Sequence, residues 1–135
     1  MDKKYGILII CAAILFLCFV GTASAKTWYV DDDLQEFPYA DFTKIQDAVN
    51  IALPGDTIIV YNGTYYENLI ILDKSLTMIG EDIDNTVIDG SENWLYPTIM
   101  VYEGSICISY FTLKSQIGIC LRETSDNEIS ENNIN

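Results

Sequence analysis

The chain has 135 residues, half of them hydrophobic, with seven basic and twenty acidic residues and no histidine. That length bounds it to one domain. The net charge of −13 repels nucleic acid and anionic membranes. The missing histidine removes the commonest metal ligand and general base, and with it any Ser-His-Asp triad within this chain.

The N-terminus reads as an export signal. Lys3 and Lys4 precede an unbroken apolar run at residues 7–20, and Ala23-Ser24-Ala25 supplies the small residues of a cleavage site. A spanning helix needs about 20 apolar residues, so residues 1–25 are expected to be a signal peptide removed after Ala25 rather than a retained anchor. Removing Lys3, Lys4 and Asp2 with it leaves five basic against nineteen acidic residues, a net charge of −14. The expected setting is extracellular, cell-surface or periplasmic, with no membrane insertion after cleavage. Of four cysteines, Cys11 and Cys18 lie in the signal. Cys107 and Cys120 remain, either as a disulfide outside the cell or as two small buried hydrophobes.

Residues 26–55 are expected to hold a short strand and a helix. Lys26-Thr27-Trp28-Tyr29-Val30 has strand character and Asp31-Asp32-Asp33 breaks it. Thr43 and Gln46 have capping-box spacing, while Ile45, Ala48, Val49 and Ala52 form one apolar stripe. Pro54-Gly55 stops this helix, predicted over 43–53. From Asp56 the pattern changes. Short β-branched runs alternate with turn pairs such as Asn62-Gly63, Asp73-Lys74, Asp89-Gly90 and Glu103-Gly104.

Thr57-Ile-Ile-Val-Tyr-Asn-Gly-Thr64 returns 41 residues later as Thr98-Ile-Met-Val-Tyr-Glu-Gly-Ser105. A unit of about 20 residues with several short strands points to a solenoid, two coils per repeat. Residues 56–135 are therefore expected to form an all-β, right-handed parallel β-helix with a short N-terminal capping helix. The first coil of such a stack has open edges that need a cover, and the amphipathic helix is placed to supply it.

Several segments resemble the N-terminal module of pectin-lyase-like right-handed β-helices. They are Asp41-Phe-Thr-Lys-Ile-Gln-Asp-Ala-Val-Asn50, Pro54-Gly-Asp-Thr-Ile-Ile-Val60, Gly63-Thr-Tyr-Tyr-Glu-Asn68, Lys74-Ser-Leu-Thr-Met-Ile-Gly80 and Thr86-Val-Ile-Asp-Gly90. Pectin methylesterases open similarly, as do many non-enzymatic surface proteins. The tail from Gly118 to Ile134 is similar to the NosD-type β-helix repeat. The resemblance implies the fold and leaves activity open. The catalytic Gln, Asp and Arg segments of pectin methylesterases lie in later coils, and nothing here resembles them. The chain stops at Asn135 inside a repeat, so further coils of a longer chain are expected.

Candidate sites follow from residue chemistry. Asp31, Asp32 and Asp33 offer oxygens to Ca2+ or form a solvated turn. No cofactor is required. Glu81, Asp82, Asp84 and Asp89 flank turns. Trp94 and Tyr96, in the loop at 91–97, are candidates for stacking on sugar rings, whereas Tyr61 and Tyr102 hold equivalent repeat positions and are expected to form a ladder. Asn62-Gly63-Thr64 is a glycosylation sequon. Asn127, Asn132 and Asn133 are expected to stack as amide ladders.

These features favour a secreted or cell-surface module without catalysis, structural, adhesive or carbohydrate-binding, whose partner is a polysaccharide or cell-envelope component. Two alternatives stand beside it. One is the N-terminal part of a carbohydrate-active, pectinesterase- or lyase-like enzyme whose active site lies in other coils. The other is a NosD-type periplasmic copper-maturation protein, for which three Met and no His provide no ligand cluster.

Overall fold

A computed structural model describes residues 24–135. The predicted signal segment, apart from Ser24 and Ala25, lies outside the described residues. The described residues are predominantly β, with one short α-helix among them. The elements run β1 (Thr27–Val30), α1 (Ile45–Ile51), β2 (Thr57–Val60), β3 (Gly63–Tyr65), β4 (Leu69–Leu72), β5 (Leu76–Gly80) and β6 (Thr86–Asp89). After a 3-10 turn (Ser91–Asn93) come β7 (Ile99–Gly104), β8 (Ile106–Ser109), β9 (Thr112–Lys114), β10 (Ile119–Thr124), β11 (Glu128–Ser130) and β12 (Asn133–Ile134).

The strands fall into three sheets, ordered β1-β2-β5-β8-β11, β3-β6-β9-β12 and β4-β7-β10. Every pairing between these strands is parallel. From β2 onward, consecutive strands visit the first, second and third sheets in rotation. Strand alternation sends every second side chain inward, and register stacks those side chains in rows. Trp28, Ile58, Met78, Ile108 and Ile129 form one row. Tyr65, Ile88, Leu113 and Ile134 form another, and Leu69, Ile99 and Ile119 a third. Full burial of each such side chain contributes about 1.5–3 kcal/mol, so these rows dominate the stability of the stack.

The 41-residue repeat is not a structural period. Thr57 pairs with Thr77, Thr77 with Cys107 and Cys107 with Glu128, so successive turns advance by 20, 30 and 21 residues. The first octapeptide spans β2 and enters β3, and the second runs through β7 in another sheet. Their likeness reflects a shared local need, an apolar strand ending at a Gly corner. Tyr61 and Tyr102 consequently form no ladder. Tyr61 stacks on Phe37, with centroids 4.9 Å apart and planes at 11°.

The helix is shorter than the predicted 43–53, and the capping box does not form. Glu67 takes its place, accepting from the backbone N–H of Ile45 and of Gln46, both at 2.9 Å. A carboxylate there meets the positive end of the helix. At the other end the Lys74 ammonium donates to the carbonyls of Val49 and Ala52, both at 2.9 Å. Gln46 is released for a different task. Its Oε1 accepts from Ile70 N–H at 2.8 Å and its Nε2 donates to the Ile70 carbonyl at 3.0 Å, so one amide occupies the open edge of β4 as a neighbouring strand would. Asp32 accepts from Thr64 N–H on the edge of β3, and Asp41 from Tyr29 N–H on the edge of β1. Side chains thus contribute to all three edges at the upper end, and β1 is also bridged by the backbone at Phe42.

Asparagines work in the same way rather than as amide ladders. Asn127 Oδ1 accepts from Ile106 N–H and Asn132 Oδ1 from Phe111 N–H, each tying its turn to the one above. One corner needs glycine. Gly104 has φ +111°, and a Cβ there would press on the Lys74 carbonyl.

The lower end contrasts with the upper. Each inward row loses its cover at the last turn. Ile108 is fully buried but Ile129 is 41% exposed, and Leu113 is fully buried but Ile134 is 54% exposed.

Two outcomes follow. Glu67→Ala is expected to lower stability by about 1–2 kcal/mol, the scale of a lost helix cap, measured by urea unfolding of the full chain. The chain is also expected to associate as concentration rises, through the uncovered lower end. Light scattering coupled to size exclusion checks this, and a concentration-independent monomer would contradict it.

Candidate functional site

A concave surface with ligand-binding chemistry lies on the outer face of the third sheet. Ile70 and Leu72 of β4 point outward beside Met100 and Tyr102 of β7, which stack in turn on Cys120 and Arg122 of β10. The helix borders this face on one side and residues 91–97 on the other. Two adjoining hollows, about 350 and 470 Å³, meet at Asn68 and Ile70. The smaller is lined by Asn93, Tyr96, Pro97 and Met100, the larger by Gln46, Asn50, Leu72 and Lys74.

Asn68 sets the shape of the smaller hollow. Its Nδ2 donates to the carbonyls of Gly90 at 3.2 Å and Pro97 at 3.0 Å, clasping the 91–97 loop at both ends. The loop is entered by Asp89, whose Oδ1 accepts from Ser91 N–H at 3.0 Å. The bond with Ser91's side chain is the main cause that holds the Asp89 carboxyl below its usual range. Between these anchors residues 91–96 are exposed.

The predicted site residues are not gathered in one place. Tyr96, 50% exposed, lines the smaller hollow, while Trp94, 61% exposed, stands on the same loop outside the lining. Asp31, Asp32 and Asp33 lie after β1, away from this face, and with Glu36 bring one oxygen each within 4.8 Å of the others. Their oxygens already accept backbone N–H groups. Asp31, fully buried, accepts from Leu34 and Phe37, and Asp33 from Gln35. Asn62 Oδ1 accepts from the Thr86 hydroxyl at 3.2 Å, tying the sequon to the next turn. Cys107 and Cys120 sit on different sheets, both free and both half-buried on outward positions, so they are neither a disulfide nor core residues.

Sequence reading missed Asn68 and Glu67, and gave Gln46 a helix-capping role in place of its contact with β4. Each is a polar residue beside a strand or at a helix start, and its partner lies more than twenty residues away. It also missed a row of carboxylates at the end of this face. Asp73, Glu103 and Glu123 follow β-register partners and share left-handed φ values of 54°, 54° and 52°. Tyr102 donates its hydroxyl to Glu123 at 2.9 Å. Glu103 shares a hydrogen bond with Asp73, and this, then the charges of Asp73 and Glu123, push its carboxyl above its usual range.

No protein family matches this sequence, and no curated protein matches it. Among the described residues, no helix is long and apolar enough to cross a membrane.

A carboxyl whose folded pKa is raised binds its proton more tightly in the folded chain. Its contribution is therefore fully present below the unfolded value, about 4.3 for Glu, and is lost as pH rises through the folded value. Glu103→Gln should melt at a higher temperature than the unaltered chain at pH 7, with the difference closing as pH falls toward 4. Paired thermal melts across that range check this.

Proposed function

We propose that this chain is an exported right-handed parallel β-helix of the pectin-lyase-like and NosD-repeat kind, acting without catalysis at the cell surface or in the periplasm. Its task is to hold an uncharged polysaccharide in the groove on the third sheet. The rotation of strands through three parallel sheets supports the solenoid reading. The right hand follows from the general rule that parallel crossover connections are right-handed in about 98% of cases.

One observation carries the binding reading. The groove has an apolar floor of Ile70, Leu72 and Met100, an aromatic ring at Tyr96, and a rim of amides from Asn50 and Asn93, beside Gln46 and Asn68, whose N–H groups are already held within the chain and which offer acceptor oxygens. Sugar rings present C–H faces that pack on apolar and aromatic surface, and hydroxyls that pair with amides able to donate and accept. A largely apolar hollow with a few convergent polar groups suits a small-ligand or glycan site. The one charged lining residue, Lys74, already has its ammonium bonded to two helix carbonyls. The net charge of −14 after signal removal favours neutral glycans over polyanions.

The test is binding of the chain to an array of neutral and acidic glycans, with and without added calcium, in four forms: unaltered, Tyr96→Ala, Trp94→Ala and Asn68→Ala. Binding to neutral glycans is expected, with Tyr96→Ala weakening it about tenfold or more, the scale of an aromatic stacking contact in a desolvated site. Asn68→Ala should weaken it by loosening the loop, and Trp94→Ala least. A calcium requirement would bring in the oxygens of Asp31, Asp32, Asp33 and Glu36. Absence of binding to every glycan would overturn the carbohydrate reading.

A further inference from the structure

Asp56 is a buried carboxylate at the start of β2. Its Oδ1 accepts from the backbone nitrogen of Lys26 at 2.8 Å. Its Oδ2 accepts from Trp28 Nε1 and from Leu53 N–H, both at 2.9 Å. All three donors are neutral as the chain stands. The charged group that acts on Asp56 is the Lys26 side chain, whose ammonium sits over the Trp28 ring, 3.1 Å from its centroid. A buried charge is costly unless it is paired as well as hydrogen-bonded.

The nitrogen that reaches Asp56 is the one that cleavage after Ala25 would free. We propose that this processing gives Asp56 a directly bonded counter-ion, with the new α-ammonium of Lys26 docked on Asp56 and locking the first strand in place. The proposal rests on the export reading above. In the step, water adds across the Ala25–Lys26 amide in the active site of a signal peptidase. A carboxylate is left on Ala25 and an ammonium on Lys26.

The geometry fits that site alone. Lys26 is pinned on its other side, its carbonyl accepting from Thr57 N–H at 2.9 Å, and β1 begins at the next residue, in register with Thr57. A cut one residue later would remove the nitrogen that bonds Asp56. A cut one residue earlier would leave a neutral amide there. Ser24 and Ala25 are exposed, so their loss uncovers nothing. The change replaces a neutral donor by an ammonium with three protons, and charge-assisted hydrogen bonds are about twice as strong as neutral ones.

The full chain is expressed in a host with a general secretory pathway, and the exported product is analysed by mass spectrometry of its N-terminal peptide. A start at Lys26 is expected, and a start elsewhere overturns the export reading at this position. On product that starts at Lys26, the α-amine is acylated with trace acetic anhydride at pH 7, folded and in urea. The ordinary α-amine pKa is about 7.7–8.0, and a partner that raises it by about one unit slows acylation about tenfold in the folded chain. The Trp28 Nε1–H resonance should shift with the same titration. Equal rates folded and unfolded, with Trp28 unresponsive, would overturn the docking while leaving the cleavage site standing. Asp56→Asn should abolish the rate difference, and the urea comparison decides the matter without that variant should it fail to fold.

Discussion

The structure depends on one constraint: every parallel strand must find a partner for its backbone groups on both sides. Stacked turns satisfy it internally, because each strand pairs with its counterpart above and below. At an end of the stack the constraint returns, since a buried backbone group left unpaired costs about 1–3 kcal/mol. The upper end meets it with three side chains and with the backbone of Asp41 and Phe42 against β1. Asp41 serves β1, Asp32 serves β3 and Gln46 serves β4. The helix then lays Ile45, Ala48 and Val49 over the interior. The described lower end ends instead in half-covered isoleucines.

The candidate groove grows out of that covering. Gln46 both seals the edge of β4 and forms part of the groove wall. Lys74, two residues after the same strand, holds the end of the helix. On the opposite side the 30-residue turn from Thr77 to Cys107, with its extra residues mainly at 81–85 and 91–97, lifts Asn93 and Tyr96 beside Met100. Asn68 binds that loop to the strand face. A ligand there would touch residues already fixed for structural reasons, which lowers the ordering cost of binding.

Acidity takes a second meaning from the structure. Read as composition, it is a surface field. Read as contacts, many of the carboxylates are internal acceptors. Asp31 closes its own turn, Asp82 accepts from Asp84 and Asn85, Glu81 accepts from Asn62 N–H on the adjacent turn, and Glu67 caps the helix. Short strands joined by tight corners leave many N–H groups pointing outward, and an ionised carboxylate accepts several at once. The row of Asp73, Glu103 and Glu123 is the cost of the same design, since identical corners stack like charges.

By itself the sequence determined the local features. Alternating β-branched runs and turn pairs set the strands, Pro54-Gly55 ended the helix, and the apolar stripe of Ile45, Ala48 and Val49 marked it as a cover. These depend on neighbours within one turn of chain, where side-chain period and backbone preference act directly. Only the tertiary structure decided the register, the unequal turns of 20, 30 and 21 residues, and the true roles of Gln46, Glu67, Asn68 and Asp56. It also separated Tyr61 from Tyr102, which the repeat had aligned, and placed Cys107 and Cys120, for which the sequence left a disulfide or core burial open, on different sheets. The reason is physical: a parallel pair joins residues twenty or more positions apart, and nothing local to either partner records which distant backbone group its polar side chain will meet.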